Sequence, residues 1–107
     1  MKSSIRQKLE LLVDRLDEID RMLASPDAAN NMEQFRKLSR ERAEVEPVAI
    51  QFNAFRQAEN DLAEAESMLA DPDMREFAEE EMAAAKARLP ELAIELQKLL
   101  LPKDPND

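Results

Sequence analysis

Twenty-four Asp and Glu side chains are the main candidates for acid–base or metal chemistry in this 107-residue chain, because it contains no His and no Cys. Without His the commonest general base is missing. So are the Ser-His and Cys-His nucleophile pairs and most transition-metal sites. The Glu-x-x-His pattern of carboxylate-bridged di-metal bundles is excluded for the same reason. The chain also has no Gly, which removes the phosphate-binding Walker loop and the dinucleotide fingerprint, both of which need glycine-freed backbone amides. The calcium loop with its central Gly is missing too. The densest carboxylates, Glu79, Glu80 and Glu81, are consecutive. On a helix they fan out about 100° apart and cannot converge on one ion. They read as an acidic solvated face, so the chain is expected to be non-catalytic, with no cofactor and no metal.

Charge is more informative than chemistry. The net charge is −9, and residues 59–81 hold ten acids against the single base Arg75, a local sum of −9. Against this stands a short basic run, Arg36, Lys37, Arg40 and Arg42 with Glu41 between them, summing to +3. Lys37, Arg40 and Glu41 are spaced to share part of one helix face. Two roles are open for this run: offsetting the acidic segment across the bundle, or forming a contact patch for RNA phosphates or an acidic protein. The overall negative field weakens any nonspecific hold on nucleic acid, so autonomous nucleic-acid binding is not expected.

The elements that must position these residues are helices. Apolar residues make up 44% of the chain, aromatic residues only 4%, so the core is built from Leu, Ile, Val, Met and Ala. The lack of Gly argues against tight hairpins and sheets. Ile5, Leu9, Leu12, Leu16, Ile19 and Leu23 step by 4 and 3 in alternation, which predicts one apolar seam along a first helix. Ser3 or Ser4 is the expected N-cap, and Ser25-Pro26 stops the run. A second helix is expected from near Asn31 to about Ala70, with Phe35, Leu38, Val45, Val48, Phe52, Phe55, Leu62 and Leu69 on its apolar line. Its length would be roughly 60 Å. Pro47 either kinks this helix or divides it; the unbroken spacing across it favours a kink. A third helix is expected from about Asp73 to Leu100, with Met82, Ala85, Leu89, Leu92, Leu96 and Leu99 on its seam and Pro90 inside it.

The two junctions nearly repeat one another: MLASPD at 22–27 and MLADPD at 68–73, each followed by a Met-x-x-Phe step. Ser or Asp as N-cap with Pro at the first helical position makes a compact turn between antiparallel helices. Shared turn chemistry explains the likeness more simply than duplication of a helix pair. Met residues near these junctions read as flexible core filler. The predicted fold class is all-α: an elongated three-helix bundle with a long antiparallel coiled-coil-like hairpin of the second and third helices. Residues 1–101 form this domain, and 102–107 read as the start of a linker. The charged start is neither a signal peptide nor a membrane span, and a soluble cytoplasmic protein is the expectation.

Four strings carry a resemblance: MKSSIRQKLE at the start, FRKLSRERAEVEPV at 35–48, MLADPDMREFAEEE at 68–81 and LLLPKDPND at 99–107. In order and spacing they resemble the N-terminal domain of bacterial peptide chain release factor 1. The opening is closer to that family than to its paralogue, release factor 2. The resemblance implies a cytoplasmic translation-termination factor acting at UAA and UAG. It implies docking of this domain at the ribosomal stalk base, the GTPase-associated centre, and interplay with the GTPase release factor 3. In that family a Pro-x-Thr motif reads the codon, a Gly-Gly-Gln motif promotes peptidyl-tRNA hydrolysis, and the full-length factor is methylated. Neither motif occurs here, so no catalytic or codon-reading residue carries over, and the chain is expected to be part of a longer protein. The basic run Arg36, Lys37, Arg40 and Arg42 is the candidate ribosome contact on electrostatic grounds alone. The reading of a different class is a stand-alone helical coiled-coil adaptor, which would be a small native polypeptide.

Overall fold

In a computed structural model, residues 1–101 are described; the expected linker at 102–107 lies outside them. The fold is all-α, as the seams predict. Helix α1 spans Ser3–Ala24, a short 3-10 helix spans Pro26–Asn30, α2 spans Met32–Met68 and α3 spans Arg75–Leu100. Among the described residues there is no strand, and no helix is long and apolar enough to cross a membrane. Both interior prolines are accommodated. Helix α2 runs on through Pro47 and α3 through Pro90, so the alternative of a divided second helix does not hold. Pro47 and Pro90 are both exposed, which leaves the carbonyls they cannot serve within reach of water.

Packing divides the chain into two compact units, Met1–Ile50 and Gln51 onward. In the first, α1 and the start of α2 close over Leu9, Ile19, Leu38, Val45, Val48 and Ala49. Each large side chain buried this way contributes about 1.5–3 kcal/mol. The predicted α1 seam is therefore real, except that Ile5 stays exposed and the buried part begins at Leu9. In the second unit the end of α2 supplies Phe52, Phe55, Ala58 and Ala65, and α3 supplies Ala78, Ala85 and Leu96. The deepest positions here include alanines that the predicted seams mostly passed over. Ala58 and Ala65 are seven residues apart, and so are Ala78 and Ala85. Counting outward from the turn, the hairpin brings Ala65 level with Ala78 and Ala58 level with Ala85. Small side chains at level positions let two helix axes approach at the short end of the usual 8–10 Å range.

The junctions correct two expectations. Ser25 and Asp71 do act on the amide two residues ahead: Asp27 N donates to Ser25 Oγ at 3.3 Å, and Asp73 N donates to Asp71 Oδ1 at 3.0 Å. The shared turn chemistry is thus present at both places. It opens the 3-10 helix at one and a turn at the other, not the long helices themselves. Helix α2 begins at a separate cap, Asn31. Its Oδ1 accepts from Gln34 N at 3.1 Å, and its carbonyl accepts from Phe35 N at 3.0 Å. Helix α3 begins after Met74, which offers no side-chain cap bond. Nor do Ser3 and Ser4 cap α1. The helix already includes them, and Lys2 stands at the cap position with its carbonyl accepting from Arg6 N.

Candidate interaction surface

Asn31 sets the phase of α2 and thereby of the basic run. With Leu38 turned into the first unit's core, Arg36, Lys37 and Arg40 are left exposed. Arg36 and Arg40 are one turn apart and share a face. Together with Phe35 and Ser39 they line a shallow depression. Lys37 lies on another flank, close enough to Glu41 to lower its pKa. Arg42 is used differently: its Nε donates to Asp20 Oδ1 at 2.6 Å, and its Nη1 lies 2.5 Å from Glu46 Oε2. The hydrogen bond that Arg42 donates to Asp20 is the largest cause of its raised pKa. Of the four candidate contact residues, the structure therefore brings Arg36 and Arg40 together, turns Lys37 to another flank near Glu41, and commits Arg42 to a clamp between α1 and α2.

A second clamp lies next to that one. Arg15 Nε and Nη2 donate to Glu41 Oε2 and Oε1 at 2.5 and 2.7 Å, a two-pronged pair. Arg15 Nη1 also donates to Glu18 Oε1 at 2.6 Å. The bond to Arg15 is the main cause holding Glu41 below the ordinary carboxylate value, against a smaller opposing effect of burial. The Arg15 guanidinium is raised in turn, chiefly by Glu41. Planar guanidinium–carboxylate pairing fixes orientation as well as charge. By contrast, Arg36 and Arg40 make no ion pair or side-chain hydrogen bond among the described residues.

Beside the cations is a feature the residue-type reading did not find. Met22, Ala28, Phe35 and Leu38, with Ser25, Asp27, Asn31 and Gln34, line a cleft of about 200 Å³ where the 3-10 helix meets α2. Its lining draws Met22, Ser25 and Asp27 from the MLASPD junction and Phe35 from the Met-x-x-Phe step, both of which read as turn chemistry when only the repeat is considered. In the second unit, Arg88 Nη1 lies 3.7 Å from Asp61 Oδ2 and the Arg56 guanidinium sits 4.6 Å from the Phe52 ring centre. Glu79, Glu80 and Glu81 are exposed. Among the described residues no group of three or more potential ligands could hold a metal ion, and no buried polar side-chain atom lacks a hydrogen-bond partner.

Comparison with protein-family models matches the PCRF domain over residues 12–107. The match takes in all of α2 and α3 and the part of α1 that carries Arg15 and Ile19. It gives the chain a role in translation termination, with the ribosome as partner. The chain belongs to the PCRF domain family, the domain of class I peptide chain release factors.

Proposed function

We propose that this chain is the non-catalytic docking domain of a release factor acting at UAA and UAG, and that it works in the cytoplasm at the ribosomal stalk base. There it would act alongside the GTPase release factor 3. The observation that carries the reading is the family match across residues 12–107. The opening MKSSIRQKLE, with its likeness to release factor 1, supports the codon assignment. The exposed, unclamped Arg36 and Arg40, with Lys37 on another flank, support a contact at the start of α2. Arg42 stabilises that segment from behind through Asp20 and is assigned a positioning role.

The test is a photo-crosslinker at position 36 or 37 in termination complexes, read by mass spectrometry. Crosslinks to stalk-base components are expected, and crosslinks confined to another ribosomal region overturn the docking assignment. Sedimentation with ribosomes over a salt series adds a second reading. The substitutions Arg36→Glu, Lys37→Glu and Arg40→Glu together should weaken association and flatten its salt dependence. Release of peptide from ribosomal peptidyl-tRNA by the purified chain would overturn the non-catalytic assignment.

A further inference from the structure

Phe35 is the shared wall of two adjoining features: the apolar cleft with Met22, Ala28 and Leu38 on one side, and the shelf with Arg36 and Arg40 on the other. Phe35 is 37% exposed and Met32, one turn earlier, 53%. Phe35 thus offers a partner an apolar edge directly beside two unclamped arginines. The cleft, about 200 Å³, is smaller than the roughly 300 Å³ at which drug-sized pockets begin. Its size suits one large side chain of a partner rather than a small-molecule ligand.

Charge selects among macromolecular partners. The unit Met1–Ile50 holds nine basic and ten acidic side chains, whereas Gln51 onward holds six and fourteen. The first unit is thus almost neutral, and its unclamped cations at the start of α2 are a local excess. Three cations are a small footing for a phosphate backbone, which rewards a broad basic surface. They are sufficient for the few carboxylates of a short peptide, whereas a single-stranded nucleic acid is held by bases stacked on successive aromatic side chains along a basic groove, and Phe35 is the one aromatic residue lining these two features. Asp27, which lines the cleft and not the shelf, repels carboxylates there, so those of an acidic partner belong with Arg36 and Arg40.

We propose that the start of α2 binds an acidic protein segment whose single large apolar side chain enters the Met22–Phe35–Leu38 cleft while its carboxylates meet Arg36 and Arg40. The inference rests on the docking reading and names the chemistry of the partner at that site. Its test titrates the 107-residue chain, followed by amide chemical shifts, with three probes. These are a short Glu-rich peptide with one central Phe, the same peptide with Ser in place of Phe, and a short single-stranded RNA.

The Phe peptide should shift residues around Met22, Ala28, Phe35 and Arg40. It should bind about tenfold tighter than the Ser peptide, the ratio given by roughly 1.4 kcal/mol. Arg36→Glu with Arg40→Glu should weaken binding of both peptides without touching the core, and Phe35→Ser should remove the advantage of the Phe peptide. Asp27→Lys should tighten binding. Equal binding of the two peptides, shifts located elsewhere, or RNA binding more tightly at these residues would overturn the proposal. If the charge reversals reduce ribosome association but the peptides show no preference, docking stands and the acidic-segment assignment falls. If the Phe peptide binds as described while ribosome association is unaffected, the acidic-segment assignment stands and the docking reading falls.

Discussion

Replacing Ala65 by Leu should destabilise the chain more than its conservative chemistry suggests. Ala65 is fully buried, and the alanine level with it across the turn, Ala78, is equally so. Both Ala and Leu are strong helix formers, so propensity nearly cancels in the substitution. What remains is three extra carbons at a position with no exposed surface. Overpacking of this kind costs about 1–3 kcal/mol. For a domain near 100 residues, each kcal/mol lowers Tm by about 4–8 °C. A fall of roughly 5–20 °C is therefore expected, read by circular dichroism at the helical minimum and confirmed by urea denaturation. The control is Ala63→Leu, two residues away on the exposed face, where a change within about 0.5 kcal/mol is expected. If Ala65→Leu is neutral or stabilising, the helices are not in close approach at this level and the alanine-seam account is wrong.

Three further outcomes follow from the same geometry. Asn31→Ala should cost about 1 kcal/mol in urea unfolding, because the amide of Gln34 loses its side-chain acceptor at the true start of α2; Ser3→Ala, at a position that caps nothing, should cost much less. Pro47→Ala should stabilise the chain, by up to about 3 kcal/mol, since it restores an amide donor inside α2; a destabilised variant would show that the proline conformation is needed there. Glu41 is held below its ordinary value of 4.5, chiefly by Arg15. Its contribution is therefore present above that ordinary value and is lost as pH falls through the lower folded value. Glu41→Gln should be less stable than the parent at neutral pH, and the difference should shrink under acid, as followed by thermal unfolding from pH 7 to about pH 3.

Periodicity made part of this fold legible, and the residues it missed show where its reach ends. Leu9, Ile19, Val45, Val48, Phe52, Phe55 and Leu96 lie on spacings that announce burial, and they are buried. Ala58, Ala65 and Ala78 were passed over because alanine is at home on either face of a helix. Only the opposing helix decides that these methyl groups are interior, and that decision is nonlocal. The Ser-Pro and Asp-Pro junctions were legible as turns because their hydrogen bonds are local. The start of the second helix near Asn31 was legible as well; what was not is that Ser25-Pro26 opens a separate 3-10 helix ahead of it.

The basic run makes the sharpest case. By type and spacing Arg40 and Arg42 are equivalent, yet two residues on a helix are about 200° apart in azimuth. One reaches Asp20 on α1 and the other faces out. A charge run thus holds two kinds of residue, clamp and contact, and they behave oppositely when tested. Reversing Arg42 should lower stability with a secondary effect on binding. Reversing Arg36 or Arg40 should leave stability nearly unchanged, because exposed charges without partners contribute little to folding. The free charges also sit in the unit whose acids and bases nearly cancel, while the excess of acids lies from Gln51 onward. An acidic partner segment therefore meets less repulsion from the unit that carries Arg36 and Arg40 than it would from the residues beyond Gln51.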